Sequence, residues 1–265
     1  MTVRSPQAYA FFLGGRDLEM KTIHELLQAR AQAGDRQVAD VQDAGLAWGA
    51  RVSDYGERIG RAAARGLVPV LVELERDTPV PPGTIEIDHH GDRCGEPAAL
   101  RQVFELLSLP SCLWTRDFDL VAANDVGHVA GLRRIGATKE VIAMIRARDR
   151  AAQGISPAEE AAGLVALDQK QETLRGTLIV VHLPHERTAT VADTLALAGD
   201  ARDLLVMTPH SCQFFGAGSR IARLDMAFPG GWRGGELPRT GFWGISRSLQ
   251  VSAALLALQY APAPK

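Results

Sequence analysis

Cysteine is scarce in this sequence. Its 265 residues include only three cysteines, Cys94, Cys112 and Cys212, and no two of them form a Cys-x-x-Cys pair. This spacing excludes a zinc ribbon, and the odd number argues against a small disulfide-stabilised scaffold. We therefore predict reduced thiols and a cytoplasmic location.

Long apolar runs are also missing. No stretch approaches the roughly 20 apolar residues of a membrane-spanning helix, and the first residues lack the apolar segment of a signal peptide. The remaining composition is that of an ordinary globular protein, with 46% hydrophobic and 23% charged residues. We expect no membrane partner.

Neither sign of charge is in large excess. The chain has 29 Lys and Arg against 31 Asp and Glu, which gives a net charge of −2. A protein that binds duplex nucleic acid needs a strongly basic surface, so we expect no such partner. A small anionic substrate held by a local basic cluster remains open.

The most informative segment is 84–92, Thr-Ile-Glu-Ile-Asp-His-His-Gly-Asp. A β-branched apolar run leads directly into Asp88, His89 and His90, and Gly91 lets the chain turn away. Successive strand residues point to opposite faces, so His89 should face away from the other two. Imidazole beside carboxylate at a strand end suits Mn²⁺, Fe²⁺ or Zn²⁺. The alternative is a surface turn with two solvated histidines.

Acidic residues precede this segment at two similar places. Residues 8–13 read as a buried strand, and Asp17 and Glu19 open the helical pattern that follows. Asp17 has the alternative role of a helix N-cap. Residues 67–74 read as another buried strand with Glu73 near its end, where an unpaired acid is costly. Glu75, further out, is the alternative acid there.

A fifth acid comes later in the chain. Asp125 follows Asn124 and a run of small apolar residues, and we expect it near a strand end as well. The carboxyl ends of parallel strands share one edge of a sheet, so these acids and His89 should converge there. A divalent cation is the usual way to offset the repulsion among converging carboxylates.

Strand and helix patterns alternate over the first 135 or so residues. This order predicts an α/β fold, a parallel sheet with helices on both faces. Further helices are predicted at 139–150 and 157–174. Within the first of them, Arg146, Arg148 and Arg150 read as a solvated basic face.

A smaller C-terminal α/β domain should follow a boundary near 170–176. It begins with a strand at 177–183, and later comes a glycine-rich segment, 229–244, that reads as irregular. The other predicted elements are a helix at 190–197, strands at 204–207 and 219–224, and a helix at 246–259.

The order of these motifs resembles that of the DHH phosphoesterase superfamily. An acid-x-acid pair, a strand-end acid, Asp-His-His and a later Asp occur in that order over residues 8 to 170. The superfamily includes nanoRNA and cyclic-dinucleotide phosphodiesterases, single-strand exonucleases, exopolyphosphatases and family II inorganic pyrophosphatases. The resemblance implies a DHH-like metal-binding catalytic domain over 1–170 and a substrate-binding domain over 176–265.

The resemblance also implies roles for individual residues. One or two Mn²⁺ or Mg²⁺ ions would be bound by acids and one imidazole. His90 would either support a metal ligand from behind or face the phosphate as a general acid, with Asp88 beside it. The implied metal ligands are Asp17, Glu19, Glu73, His89 and Asp125.

The sequence departs from the family pattern at four places. Leu13 stands where the family usually has a histidine, four residues before its first Asp. Glu19 and Glu73 stand where the family has Asp, which lengthens each side chain by one methylene. The glycine-rich segment lacks the family histidine. These changes put one of the two metal sites in question and predict a divergent branch.

The glycine-rich segment is the predicted substrate site. Glycines permit close approach of the backbone to phosphate, and Arg233 and Arg239 can pair with it. Trp232 or Trp243 would stack on a base or, alternatively, pack between domains. The glycines expected at this site are Gly230, Gly231, Gly234 and Gly235.

Two functions follow as hypotheses. The first is a metal-dependent phosphoesterase for a small phosphorylated substrate, such as a nucleotide or short oligonucleotide. The second is a DHH-fold protein that has lost hydrolysis and binds nucleotides or regulates. Leu13 favours the second, whereas the acids and histidine retained at every other motif favour the first. A homodimer is left open.

Overall fold

A computed structural model describes residues 7–235 and 237–259. The chain divides into two compact units, one ending at Gly154 and one beginning at Ile155. The division comes before the predicted boundary near 170–176 because the helix Pro157–Asp168 packs with elements of the second unit. The roles assigned to the two domains stay predictions.

The first unit contains four strands and five α-helices within its described residues. Strand β1 is fully buried and has the sequence Tyr-Ala-Phe-Phe-Leu, as its apolar run predicts. The elements are β1 (Tyr9–Leu13), α1 (Leu18–Gln32), β2 (Val38–Gln42), α2 (Glu57–Ala64), β3 (Val68–Val72), β4 (Ile85–Ile87), α3 (Ala99–Leu106), α4 (Arg116–Arg134) and α5 (Lys139–Ala152).

All four strands pair in parallel, in the order β2-β1-β3-β4. Ala10 and Phe12 of β1 pack with Leu71 of β3 against Tyr55 and Ile59 on one face. By strand alternation Phe11 lies on the opposite face, which α1 and α3 cover. A parallel sheet flanked by helices is the predicted architecture, and it is confirmed.

The strand order creates a switch point beside β1. From β1 the chain runs through α1 to β2 on one side, and then through α2 to β3 on the other. The segments that leave the carboxyl ends of β1 and β3 therefore diverge. In open α/β sheets, ligands bind in the crevice at such a point.

The second unit contains a six-stranded mixed sheet in the order β5-β6-β7-β8-β10-β9. Its core includes Trp243, Phe214 and Leu205, none of which is exposed. The elements are α6 (Pro157–Asp168), β5 (Gln171–Thr173), β6 (Leu178–His182), α7 (Ala189–Ala198), β7 (Asp203–Met207), β8 (Cys212–Ala217), α8 (Gly218–Ala227), β9 (Trp232–Gly234), β10 (Thr240–Ile245) and α9 (Val251–Gln259).

Two local predictions in this unit are wrong. Residues 219–224 form part of helix α8 and not a strand, because Ile221 and Leu224 recur at helical spacing and are buried on one side of it. The segment 229–244 is not irregular, since β9 and β10 pair there as an antiparallel hairpin. Two of its glycines leave room for aromatic rings that pack directly against the backbone. A Cβ at Gly234 would lie 2.5 Å from the ring of Phe242, and a Cβ at Gly244 would lie 2.4 Å from the ring of Trp232.

Several predicted helices have different limits in the structure. The helix predicted over 246–259 begins only at Val251, as α9. The helix predicted over 157–174 ends at Asp168, and strand β5 follows. Among the residues that the structure describes, no helix is both long enough and apolar enough to cross a bilayer.

Candidate metal centre

The Asp-His-His segment follows strand β4 at the carboxyl edge of the sheet. The strand ends at Ile87, and the three polar residues follow at once. His89 is buried, with 7% of its surface exposed, whereas His90 is exposed. The two imidazoles differ in exposure, but their ring centroids lie 4.2 Å apart, because strand alternation has ended at Ile87.

Glu73 leaves the carboxyl end of β3 beside them. Its backbone N–H donates to the carbonyl of Ile87 over 2.8 Å, which holds it against β4. Its φ of 51° is unusual for a residue other than glycine, a conformation that costs roughly 1–3 kcal/mol. At the end of β1, a Cβ at Gly14 would lie 2.5 Å from the carbonyl oxygen of Glu73. Glycine is therefore required where the ends of β1 and β3 meet.

Asp125 reaches the site from a helix. The prediction that it lies near a strand end is wrong, because it belongs to α4. Val121 and Asn124 are buried at helical spacing in the segment that reads as a run of small apolar residues. The helix is broken at Gly127 and His128, so Asp125 lies just before the break.

Four side chains converge at this edge. Ligand atoms of Glu73, His89, His90 and Asp125 all lie within 4.8 Å of one another. His89 Nε2 is 3.2 Å from Glu73 Oε1 and in contact with Asp125 Oδ2. His90 Nδ1 is 3.9 Å from Glu73 Oε1. Residues far apart in the sequence thus face one small volume.

The buried atoms of this cluster lack hydrogen-bond partners. Within the described residues, Glu19 Oε2, Glu73 Oε1, His89 Nε2 and Asp125 Oδ2 are all buried, and none completes a hydrogen bond. Unsatisfied buried polar atoms are costly, and four of them in one place call for a ligand. Three carboxylate oxygens and an imidazole nitrogen are a donor set for a divalent transition metal, so the residues fit such an ion.

The two acids after β1 have different positions. Asp17 is the N-cap of α1, and its Oδ1 accepts from the backbone N–H of Met20 over 2.7 Å. Glu19 is buried, with Oε1 accepting from the N–H of Leu100 at 3.0 Å and Oε2 lying 3.9 Å from His89 Nε2. The structure therefore places Glu19 beside the four clustered residues and gives Asp17 its alternative role as a cap.

Burial and mutual repulsion perturb the acids. Burial, and then the charges of Asp125 and Glu73, raise the pKa values of both Asp17 and Glu19. Burial likewise raises the pKa of Glu73, against the opposing effect of His89. Although burial also disfavours the charged form of Asp125, its contact with His89 lowers the pKa of that carboxyl. The metal-free site therefore retains protons that a bound cation must displace.

His89 carries one of these protons. Burial by itself lowers the pKa of its imidazole, but the carboxylates of Asp125 and Glu73 outweigh burial and raise that pKa to about 10. The metal-free site is then a positive imidazolium between two acids. Because metal ligands must be deprotonated, cation binding should release this proton.

His90 and Asp88 form a separate pair at the rim. His90 Nδ1 lies 2.9 Å from Asp88 Oδ1, and the same oxygen accepts from the His90 backbone N–H. The side chain of His90 is 53% exposed. The hydrogen bond that His90 Nδ1 donates to Asp88 raises the pKa of His90, which favours the protonated imidazole at this exposed position.

The predicted substrate residues lie in the hairpin of the second unit. Arg233 on β9 forms an ion pair with Asp225 of α8. Stacking of Trp243 on a base is wrong, because that side chain has no exposed surface. The backbone of Gly218 donates to the carbonyl of Arg239 over 2.9 Å, which ties that end of the hairpin to α8.

Most of the glycines in the hairpin have packing roles. A Cβ at Gly231 would lie 2.6 Å from the carbonyl oxygen of Gly244, and one at Gly235 would lie 2.6 Å from the Cα of Gly241. Gly234, as described above, accommodates the ring of Phe242. Gly230 has open space around it, with a φ of 88°. Binding of substrate by these glycines, Arg233 and Arg239 stays a prediction.

Sequence reasoning missed a buried polar group behind the site. Arg146 is 2% exposed and contacts Asp149 and Asn124, so its assignment to a solvated face is wrong. Arg148, assigned to the same face, pairs with Asp117 at the surface. Helical spacing could have revealed the difference, because Ile142, Ile145, Arg146 and Asp149 all fall on one face of α5.

The chain was also compared with known proteins. No family model and no curated protein sequence matches it. Among solved structures, the DHH domain of a member of the S1p family of ribosomal proteins aligns with 95% of this chain and 85% of its own, with a TM-score of 0.54 and 10% identity.

Two other structures align with lower scores. An exopolyphosphatase-related protein from Bacteroides fragilis has a TM-score of 0.49 and 13% identity, over 97% of this chain and 91% of its own. The exonuclease RecJ bound to manganese has a TM-score of 0.46 and 12% identity, over 96% and 91%. At such identities a structural match establishes the fold alone. This chain has the fold of DHH-domain proteins, and the divergent DHH resemblance predicted from its motifs is confirmed at that level.

Proposed function

We propose that the protein is a divalent-metal-dependent phosphoesterase. Its substrate would be a small phosphorylated molecule such as a nucleotide or a short oligonucleotide. The observation that carries the proposal is the cluster of Glu73, His89, His90 and Asp125 at the carboxyl edge of a DHH-type sheet, whose buried ligand atoms contact one another but complete no hydrogen bond within the described residues.

The residues divide into ligands and a proton donor. Glu73, His89 and Asp125 would hold Mn²⁺ or Mg²⁺, with Glu19 Oε2 directed at the same volume. Glu19 is itself fixed by the backbone N–H of Leu100, so it has one oxygen left to offer. When bound, one or two such ions supply Lewis acidity to phosphoryl oxygens and lower the pKa of a coordinated water.

His90 would protonate the leaving oxygen of the substrate. Asp88 occupies its Nδ1, so Nε2 is the nitrogen that can transfer a proton outward. The exposure of the ring puts this proton at the rim, where an alkoxide or phosphate oxygen would depart. General acid catalysis of this kind typically contributes 10²- to 10⁴-fold to a rate.

Leu13 supports the second candidate, a DHH-fold nucleotide-binding or regulatory protein that has lost hydrolysis. It takes the position of the family histidine, and it lies fully buried at the end of β1. A leucine cannot ligate a metal, so a centre that needs two ions would lose one ligand. Binding without turnover is the result that would distinguish this function from the first.

The first prediction concerns metal removal. The purified protein treated with EDTA should hydrolyse its substrate at least about 100-fold more slowly, and Mn²⁺ should restore the rate, because the bound ion supplies the Lewis acidity of the proposed reaction. The substrate would first be identified by a screen of p-nitrophenyl esters, dinucleotides, 3′,5′-bisphosphates and polyphosphate for hydrolysis. A rate that is unchanged after EDTA would contradict the proposal, whereas stoichiometric Mn²⁺ binding without turnover of any substrate would favour the second candidate.

The second prediction separates substrate binding from hairpin structure. Arg233→Ala should raise KM by roughly 10- to 150-fold at unchanged metal content, because a charge-assisted contact with phosphate is worth about 1.5–3 kcal/mol. Arg239→Ala tests the second guanidinium in the same way. The matched control is Asp225→Asn, which removes the ion-pair partner of Arg233 and keeps its guanidinium.

The control decides between the two roles. If Asp225→Asn raises KM as much as Arg233→Ala does, the ion pair supports the hairpin and the arginine has no direct contact with substrate. If neither Arg233→Ala nor Arg239→Ala changes KM, the hairpin does not bind phosphate. Metal content measured by atomic absorption should match the wild-type value in all three variants.

A further inference from the structure

We propose that Arg146 and Asp149 of α5 are positioning residues for the candidate metal centre. This proposal rests on the proposed function and adds the elements that hold its ligands in place. Both side chains are deeply buried, at 2% and 3% exposure, and Arg146 Nη1 donates to Asp149 Oδ2 over 2.8 Å. Neither belongs to the acidic and histidine motifs identified in the sequence.

Asp149 holds the chain between the two acids that follow β1. Its Oδ1 accepts from the backbone N–H of Leu18 at 3.1 Å, and Leu18 lies between Asp17 and Glu19. This N–H is one of the first in α1 and has no partner within that helix. The other carboxylate oxygen of Asp149, Oδ2, accepts from Arg146 and also from Gln153 Nε2 at 3.0 Å. The carboxylate therefore fixes the start of α1 relative to α5.

Arg146 holds the helix that carries Asp125. The Nη1 that donates to Asp149 also donates to Asn124 Oδ1 over 2.9 Å. Asn124 is 3% exposed, and it immediately precedes Asp125 in the last turn before the break in α4. One ion pair thus contacts the backbone beside Glu19 and the residue beside Asp125, two acids from separate elements.

Stability alone does not account for such a group. A buried ion pair is often no more stabilising than apolar residues of similar volume, because desolvation offsets the attraction between the charges. An ion pair with fixed hydrogen bonds instead holds neighbouring groups in a defined position and orientation. A metal site requires its ligands within fractions of an ångström, and residues that orient ligands typically contribute 10- to 100-fold to metal affinity.

A second ion pair provides a matched control. Arg148, on the same helix, pairs with Asp117 of α4 at 2.6 Å, so it also joins α4 to α5. The side chains of Arg148 and Asp117 are both more than a third exposed. Asp117 lies in the first turn of α4, two turns before Asp125. If joining the helices were sufficient, both pairs would matter equally for metal binding.

The test replaces each pair by apolar residues in the full-length protein. In Arg146→Met/Asp149→Leu no unpaired charge is left in the core, so the variant should fold. We expect Mn²⁺ to bind it 10- to 100-fold more weakly by titration calorimetry. The control Arg148→Met/Asp117→Leu should bind within about twofold of wild type. Thermal unfolding of the metal-free proteins reports stability separately.

A single substitution covers the case in which the double variant does not fold. Asn124→Ala leaves the ion pair intact and removes only the contact of Arg146 beside Asp125, so binding should weaken about 10-fold. Folded variants that bind Mn²⁺ like wild type would overturn the positioning role while leaving the proposed function in place. Wild-type protein that binds neither Mn²⁺ nor Mg²⁺ would overturn both.

Discussion

Replacing His89 by alanine should weaken Mn²⁺ binding by at least about 100-fold and reduce hydrolysis at least as much. The reason is geometric, because Nε2 of this residue lies between Glu73 Oε1 and Asp125 Oδ2 in the buried centre. Without the imidazole, the clustered carboxylates repel one another and cannot complete a metal's ligand shell. Titration calorimetry and steady-state rates at saturating Mn²⁺ measure the two effects.

A control for this substitution exists on α1. His24 also pairs with an aspartate, since its Nδ1 lies 3.2 Å from Asp43 Oδ2, but it is outside the cluster. His24→Ala should bind Mn²⁺ and turn over substrate like wild type. If His89→Ala does so too, the ligand assignment is wrong.

His90→Ala distinguishes two roles of the neighbouring imidazole. If His90 is the general acid, its loss should lower kcat by about 10²- to 10⁴-fold and leave Mn²⁺ affinity nearly unchanged. If affinity falls together with kcat, His90 is itself a ligand, a role that its place among the four clustered residues also permits.

The metal-free protein should lose stability between pH 6.5 and 9. Burial lowers the pKa of His89, but the carboxylates of Asp125 and Glu73 outweigh it and raise this pKa from 6.5 to about 10 in the folded state, so folding favours the protonated form. That stability is fully present below pH 6.5 and is lost as pH rises toward 10. At 1.36 kcal/mol for each pKa unit, the loss across this interval is on the order of 3 kcal/mol.

The acids of the centre act in the same direction. Burial raises the pKa values of Asp17, Glu19 and Glu73, so the folded protein is stabilised while they are protonated and loses stability as they ionise. Asp125 has a lowered pKa, and its contribution is lost only as pH falls below its ordinary range. Between pH 6.5 and 9, none of these carboxyl groups therefore opposes the loss of folding stability caused by His89.

A bound cation should reverse this trend. It replaces the protons on its ligands, so the apparent affinity for Mn²⁺ should increase with pH and binding should release protons. Urea unfolding at several pH values, with EDTA or with Mn²⁺, measures the stabilities, and calorimetry in buffers of different ionisation enthalpy counts the protons. A metal-free stability that stays constant from pH 6.5 to 9 would contradict the assignment of His89.

The sequence allowed prediction of the first sheet and most of the residues at its edge. The uninterrupted apolar run of β1 predicts a strand buried on both faces, and the structure has one. Asp-His-His after β4 and Glu73 after β3 occupy a common edge because parallel strands end together. These features follow from patterns within a few residues of one another.

Features that depend on packing could not be predicted in this way. Asp125 lies on a helix because Leu120, Val121 and Asn124 pack against other helices, and small apolar residues alone do not distinguish helix from strand. Arg146 looks like a surface residue until its buried partner Asp149 is recognised on the same helical face.

The hairpin shows a second limit of sequence reasoning. Glycine permits close approach of any group, and the sequence does not say whether that group is a phosphate or an aromatic ring. In β9 and β10, Gly234 and Gly244 are covered by the rings of Phe242 and Trp232. The segment thus has a structural reason for its glycines that does not depend on a ligand.

The order of the ligands along the chain has a consequence for synthesis. Glu73, His89 and Asp125 come from three segments that become neighbours only when β3, β4 and α4 are all in place. A nascent chain has no complete site until the ribosome has made α4, and contacts between residues so distant in sequence slow folding. Fragments that end before α4 lack Asp125, so they should bind Mn²⁺ more weakly than the whole chain.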